Sequence, residues 1–550
     1  MSQLRIVDGT VYDPANGIDG QVRDVCVEDG RIVASLPDDA PRLDARGMVV
    51  MPGGVDIHAH IAASSVNHAR RIHPDEHTAD PAFAPALAEG LARSGSGGTV
   101  PSTFTTGYRY AGLGYTTVFD AAVAPVSARD THAQLDDTPI VDAGFYVLMG
   151  NDAYLLQQIG AGERERARDY AAWLLGATGA YAIKVVNPGG VELWKRNVRE
   201  VATIDDVAGF AGATPRAILE TLADAANALR LPHPVHIHCN NLGIAGNVAT
   251  TIASMEALSG RRAHFTHLQF HSYAGTRGGA WASGARQVIE HVNTHPELTA
   301  DVGQVMFGPA TTVTADGAVE YLLHASSGRR WVNVDIELET GCGVVPYEYK
   351  DAAAVAALQW VVGLELFLLS ADPWRVVLST DHPNGGSFAS YPDLIRLLMD
   401  RAWRDERLKR VNQKLLAGSA LADGIAREYT LNEIAIITRA GPARQLGLTH
   451  KGHLGPGADA DITIYARDAD YAAMFATPRY VLKGGMLVVE EGQLRRAPDG
   501  RRLHVRPAFD DAVTRDLGRW FERWQSISFA NYPVTGLRDA PLAAGSGETR

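Results

Sequence analysis

The chain has 550 residues and a formal net charge of −12, with 46% hydrophobic and 21% charged residues. That length exceeds one ordinary domain but suits a barrel of about 250 residues or more with a satellite domain. The acidic balance argues against nucleic acid as the main partner, because a phosphate backbone calls for a basic face.

No apolar run approaches a membrane span and the opening MSQLRIVDGT has no signal-peptide pattern, so a cytoplasmic protein without membrane contact is expected. Cys26, Cys239 and Cys342 form no CxxC, which argues against disulfides and an iron–sulfur cluster.

Residues 1–50 alternate β-patterned runs with turns, and Asp8-Gly9 and Asp29-Gly30 read as hairpin signals. Next comes MPGGVDIHAHI (51–61), where apolar β-formers from Met48 to Met51 cross a Pro-Gly-Gly turn and end in His58 and His60. In a strand these two share a face, and Asp56 is expected to join them. Two imidazoles on one face can chelate a metal ion, although a plain pair of strand histidines fits this spacing equally well.

From 51 to 430, strands alternate with helix-length segments, the signature of a parallel sheet. Eight candidate strands lie near 55–60, 116–122, 140–148, 180–186, 234–240, 263–269, 299–306 and 375–381. Eight fits an α/β fold of the (β/α)8 TIM-like type, with chemistry at the C-terminal strand ends. Two connections are long: residues 61–115, whose SGSGG (94–98) suggests a loop over the active site, and 307–374, which suggests an extra hairpin.

Lys184 interrupts the apolar strand of GAYAIKVVNPGG. A buried lysine is costly unless paired or neutralised. An ion-paired core lysine is the plain reading; the chemical one is a carbamate formed with CO2, able to bridge two cations. In PVHIHCNNLG, His236 and His238 share a face, and His238, nearer the mouth, is the expected ligand. In RAHFTHLQFHSY, alternation sets His264 opposite His267 and position favours His267, with His271 left to a loop. Asp381 closes the strand VVLSTDHPNGG, where a carboxylate can bind metal and move a proton. Together these place four His, one Lys and one Asp at the ends of strands 1, 4, 5, 6 and 8. Such donors suit Zn2+ best, and Fe2+, Mn2+ and Co2+ also fit them.

Residues 431–505 return to β patterning in ADITIYA and RYVLKGGMLVV, with Gly484-Gly485 as the turn, and are expected to complete a small β-sandwich domain with 1–50. In 506–550, Val513, Leu517, Trp520, Phe521 and Trp524 recur at helical spacing. A helix packed on its own barrel is the plain reading and a docking face the alternative; the last residues, LAAGSGETR, are expected to be disordered.

HAH after PGGVD, Lys184, the two later histidines, Asp381 and KGHLGPGADADITIY resemble the amidohydrolase superfamily, in the branch of dihydroorotases and hydantoinases, over nearly the whole chain. The resemblance implies a binuclear zinc site, with His58, His60 and Asp381 on one metal, His238 and His267 on the other, and carboxylated Lys184 between them. TGYRYAGLGYTTVFDAA, HCNNLGIAGN, FTHLQFHSY and LSTDHPNGGSF look, more narrowly, like the A component of formylmethanofuran dehydrogenase and the hydrolase (alpha) component of the bacterial formyltransferase/hydrolase complex. That family interconverts an N-formylated furfurylamine cofactor of the methanofuran type with the free amine and formate. Asp381 is then the proton carrier, Asn240 and His271 are candidate oxyanion donors, and Arg70, Arg71 and Arg109 are candidates for the cofactor's anionic tail. A formyltransferase-type subunit is the implied partner, and Ala- and Arg-rich, Lys-poor usage favours the bacterial hydrolase complex over the dehydrogenase. A stand-alone cyclic-amide hydrolase shares the metal set, whereas a non-catalytic scaffold is expected to have lost ligands.

Overall fold

The computed structural model describes residues 2–537 apart from 196–197, 199, 208–210, 277–278 and 335–341. Five strands open the chain: β1 (Gln3–Asp13), β2 (Ile18–Glu28), β3 (Arg31–Val33), β4 (Arg42–Asp44) and β5 (Met48–Pro52). Then come β6 (Gly54–Ala59), β7 (Tyr115–Val123), β8 (Asp142–Leu148), β9 (Ala182–Val186), β10 (Val235–His238) and β11 (Ala263–Phe265). A small hairpin, β12 (Tyr273–Gly275) and β13 (Trp281–Ser283), precedes β14 (Leu298–Asp301), β15 (Gly308–Thr314), β16 (Val332–Val334), β17 (Cys342–Tyr349) and β18 (Val376–Val377). The last four are β19 (Ile462–Ala466), β20 (Tyr480–Lys483), β21 (Met486–Glu490) and β22 (Gln493–Leu494).

All eight expected barrel strands form, in the parallel order β18-β14-β11-β10-β9-β8-β7-β6. The ring is closed by a parallel bridge between Ala59 and His382, with the His60 amide donating to the His382 carbonyl at 2.6 Å. Near-continuous burial along β6, β8 and β9 is the pattern of strands covered on both faces. Gly54 is needed where β6 starts, since a Cβ there would lie 2.6 Å from the Tyr115 ring.

The terminal strands form one nine-stranded sheet, ordered β22-β21-β20-β19-β5-β1-β2-β3, with β4 also on β1. Its two halves meet where β5 pairs antiparallel with β19, around a core that includes Ile6, Val25, Val50, Ile462 and Ile464. Met48–Pro52 therefore belongs to this sheet, and the chain crosses into the barrel at Gly53. Asp29-Gly30 and Gly484-Gly485 make the expected turns, with all four residues at positive φ. Asp8-Gly9 does not: it sits inside β1 as a bulge, where the register to β2 shifts. The C-terminal boundary also differs from 431–505. Helical residues Ile436–Leu446 pack on the barrel strand β6 with Arg439 donating to the Pro52 carbonyl, and the chain rejoins the core of the β-domain with Leu454, Ala458 and Ala460 just before β19.

The second long connection builds more than a hairpin. β15, β17 and β16 form a three-stranded sheet, and the helix Gly317–Ser327 packs on it; residues 335–341 of the expected hairpin lie outside the described residues. The SGSGG loop instead pairs with Ala79 through Ser96 and contributes nothing to the wall of the cavity at the barrel mouth. The helix Ala512–Trp524 buries Val513, Leu517 and Phe521 on its own barrel, with Trp520 against Tyr154, while Trp524 is 46% exposed. LAAGSGETR lies outside the described residues. Among those described, no helix is long and apolar enough to cross a membrane.

A buried ionic cluster joins the two domains. Lys451 Nζ lies 2.6, 3.2 and 2.7 Å from Asp142, Asp459 and Asp461, and Lys483 Nζ lies 2.8 Å from both Asp142 and Asp461. Arg501 adds a contact of 2.8 Å to Asp142. Burial opposes ionisation of Asp461, but the two ammoniums outweigh it and hold its carboxyl at about 2. Removing one partner leaves buried charge uncompensated, so Lys451→Ala is expected to cost about 3–5 kcal/mol. Because Asp461 is depressed in the fold, its stabilisation is complete above the ordinary carboxylate pKa near ~4 and is lost as pH falls towards ~2. Urea unfolding of both proteins at pH 7 and pH 3 checks this: the gap between them should narrow at the lower pH.

Candidate active site

The six expected ligands converge at the C-terminal mouth of the barrel. His58, His60, Lys184, His238, His267 and Asp381 are all buried and all line one cavity of about 390 Å3. Asp381 Oδ1 lies 2.8 Å from His58 Nε2 and 3.1 Å from His60 Nε2. His58, His267 and Asp381 can present ligand atoms within 4.8 Å of one another, and so can His238, His267 and His271.

These donors fit metal. His60 Nδ1, Lys184 Nζ, His238 Nε2 and His267 Nδ1 are buried without a hydrogen-bond partner, a costly arrangement unless a cation takes up the lone pairs. Burial disfavours a charged His58, yet Asp301 and Asp381 outweigh it and raise its pKa. Burial likewise opposes ionisation of Asp381, but His58 and His267 hold its carboxyl well below the usual range. Burial pushes His238 and His267 well below the imidazole range, which leaves them neutral and fit to donate lone pairs. Burial also brings Lys184 down to about 7, against the pull of Asp301, Asp381 and Asp120.

Two local irregularities set this geometry. The register of β6 on β7 shifts between Asp56 and Ala59, so simple alternation fails there. Asp56 consequently does not join the histidines: its carboxylate accepts from Tyr110 (2.8 Å), Tyr391 (2.5 Å) and the His58 amide (3.0 Å). In the second case β11 ends at Phe265 and His267 adopts a left-handed backbone, φ 36°. Gly303 makes room for it, since a Cβ there would lie 2.3 Å from His267 Cβ. His264 is thus not excluded by His267; both point inward, His264 bonding Asp301 at 3.1 Å one layer below. His236 lies below the mouth as expected, its Nε2 2.9 Å from His58 Nδ1.

The four expected substrate contacts are placed otherwise. Asn240 is fully buried away from the cavity wall and braces a loop, donating to Asn187 Oδ1 (2.8 Å) and the Pro188 carbonyl (3.0 Å). His271 packs behind His238 and His267, 5.0 and 5.2 Å between ring centres, which makes it a ligand-type group and not a cavity contact. The Arg70 guanidinium is spent inside the protein on the Ile61 and Pro101 carbonyls, Asn67 and Gln134. Arg109 pairs with Asp80 at 2.7 Å in a separate surface groove. Arg71 is exposed.

Sequence reasoning missed Asp301, Asn384 and the cap. Asp301 ends β14 as Asp381 ends its strand region, so a carboxylate closing TAD was a usable signal. It is fully buried and accepts from Ser379 Oγ (2.5 Å), Thr266 Oγ1 (2.6 Å), the His267 amide (3.0 Å) and His264 (3.1 Å). Asn384 donates to Asp381 Oδ1 at 3.0 Å and accepts from the Val313 amide at 2.6 Å, tying the last barrel loop to the cap. The cap supplies Thr312, Glu320, Leu323 and Tyr347 to the cavity, facing Phe270 and Trp281 from the barrel side.

A parallel eight-stranded barrel with a His, Lys and Asp cluster at its carboxyl end defines a class of barrel hydrolases. A model of the amidohydrolase family matches residues 43–489, and the chain belongs to that family. It is 42% identical over 553 residues to Protein FwdA of Methanocaldococcus jannaschii, covering 96% of each chain. It is 40% identical over 516 residues to the A component of the formyltransferase/hydrolase complex Fhc of Methylorubrum extorquens, covering 91% of each. The crystal structure of the formyltransferase/hydrolase complex (FhcABCD) from Methylorubrum extorquens, in complex with methylofuran, contains a chain that superposes with a TM-score of 0.92 at 36% identity, over 98% of this chain and 100% of that one.

Outer partners of metal-binding histidines typically govern affinity 10–100-fold. Asp301→Asn keeps the shape and removes the charge beside His58, and is expected to weaken zinc binding by about that factor in a chelator competition.

Proposed function

We propose that this chain hydrolyses an N-formyl amine cofactor of the methylofuran type to formate and the free amine, as the hydrolase component of a formyltransferase/hydrolase complex. The observation that carries the reading is the convergence of all six ligand-type side chains on one cavity, in a chain that aligns over 91% of its length with the A component of Fhc. A scaffold that had lost its chemistry would have lost part of that set.

His58, His60 and Asp381 would hold one zinc ion and His238 and His267 the other, with His271 within reach of the second group. When bound, the two ions supply a Lewis acid for the formyl oxygen and water that ionises near neutral pH. Lys184, its pKa near 7, is substantially neutral at pH 7 and able to add CO2, forming an N–C bond and losing a proton to become a carbamate ligand. Asp381, the carboxylate against His58 and His60 at the cavity, takes the proton of the attacking water and delivers it to the leaving amine nitrogen. Asn384 holds that carboxylate in place through its 3.0 Å bond to Oδ1. Phe270, Trp281 and Tyr347 offer flat apolar surface for a furan ring, and the cap from Thr312 to Ser326 shields the site from bulk water.

A second reading rests on the match to Protein FwdA over 96% of the chain: the same site serving in the corresponding component of a formylmethanofuran dehydrogenase. The two separate by the company the chain keeps. A tagged chain purified from its native host should recover a formyltransferase in fixed stoichiometry and release formate from formyl-methylofuran. Recovery of redox partners supports the second reading, and recovery of the chain alone with dihydropyrimidine hydrolysis overturns both.

Asp381→Asn is expected to lower turnover about 100-fold or more, as for loss of a general acid–base group. A fall of less than about tenfold in steady-state formate release places the proton carrier elsewhere.

A further inference from the structure

Below the metal-type cluster, three imidazoles run down the barrel axis in an unbroken chain. His58 Nδ1 lies 2.9 Å from His236 Nε2, His236 Nδ1 lies 3.0 Å from His233 Nε2, and His233 Nδ1 lies 2.8 Å from the Gln445 carbonyl oxygen. All three rings are fully buried, so water does not compete for these contacts. Tyr146 stacks on His233 (5.3 Å, 17°) and lies 4.6 Å from His236, whose other side is covered by His264 at 4.5 Å.

The chain has a direction. A carbonyl oxygen only accepts, so His233 must carry its proton on Nδ1, which leaves Nε2 as a bare lone pair. That lone pair faces His236 Nδ1, which must therefore donate, leaving His236 Nε2 bare in turn. His236 Nε2 then requires the proton of His58 on Nδ1. Thr266 Oγ1, also against His58 Nδ1, gives its own hydrogen to Asp301 Oδ2 at 2.6 Å and so accepts as well. Every partner on that side of His58 is an acceptor. His58 Nε2 is then the ring nitrogen turned toward Asp381 Oδ1 at 2.8 Å, the position where a proton or a metal ion can sit between them.

We infer that the Gln445 carbonyl, acting through His233 and His236, holds a proton on His58 Nδ1 so that Nε2 is the nitrogen offered to the metal. His233 and His236 are positioning residues. They touch no substrate, and neither lines the cavity. The consequence for affinity rests on His58 being a ligand, whereas the tautomer order does not. A ring free to place its proton on Nε2 must first shift it before binding metal, and outer partners of this kind are worth about tenfold or more in affinity.

The test has two arms. In the full chain labelled with 15N-histidine and freed of metal, solid-state NMR should find His233 and His236 protonated on Nδ1 and bare on Nε2. In a chelator competition, His233→Leu should bind Zn2+ about tenfold more weakly, while His233→Gln, whose amide oxygen can accept from His236 Nδ1, should recover most of the loss. His236 protonated on Nε2 overturns the inference, as does equal zinc affinity in the Leu and Gln variants, whether both match the unsubstituted chain or both fall. Should either variant fail to fold, the NMR arm on the unsubstituted protein decides. An unsubstituted chain that binds no zinc refutes the metal reading of the site while the tautomer measurement still judges the relay.

Discussion

The site hangs on the carboxylate of Asp301. Placed with no exposure at the end of β14, it accepts hydrogen bonds from residues at or just beyond the ends of β11 and β18 and lies 3.5 Å from His58 Nδ1 on β6. A bare carboxylate in that position would be severely destabilising, and bonds to a charged acceptor each contribute about 1.5–3 kcal/mol. Burial opposes its ionisation, but His58 and His264 hold its carboxyl well below the usual range. The anion favours positive charge at the mouth, where His58 lies between it and Asp381, and so prepares the cluster for cations.

Strained backbone accompanies this arrangement at both later ligand positions. His267 and Asp381 have φ of 36° and 50°, conformations that typically cost about 1–3 kcal/mol in residues other than glycine. Each is held by its surroundings: the His267 amide by Asp301, and Asp381 by Asn384, whose side chain also grips the cap. Ligand geometry and cavity cover are thereby linked through one asparagine. The base of the barrel solves a similar electrostatic problem with opposite partners. There Asp142, Asp459 and Asp461 face Lys451, Lys483, Arg501 and Arg31, so a group of acidic residues that resembles a cation site is neutralised by the protein's own cations.

Much is legible in the sequence because it depends on local pattern. The eight strands, the two positive-φ turns at Asp29-Gly30 and Gly484-Gly485, the amphipathic helix near Trp520 and the six polar side chains that meet at the cavity all follow from periodicity and from polar residues at strand ends. Alternation misleads only where a bulge or a left-handed residue resets it. It assigns Asp56 to the wrong face for the first reason and His264 for the second, and Asp8-Gly9 is a bulge with the composition of a turn.

What the sequence by itself determined is the barrel, the terminal β-domain and the polar residues placed at its strand ends, since hydrophobic period and residue chemistry are properties of short stretches. Which long connection covers the site, where Arg70, Arg109, Asn240 and His271 point, and how Asp301 and the His58–His236–His233 column order the donors were decided by tertiary structure alone. These contacts join residues far apart in the chain, 178 positions for His58 and His236 and 212 for His233 and Gln445, and only closing the barrel sets the distances and directions on which their hydrogen bonds depend.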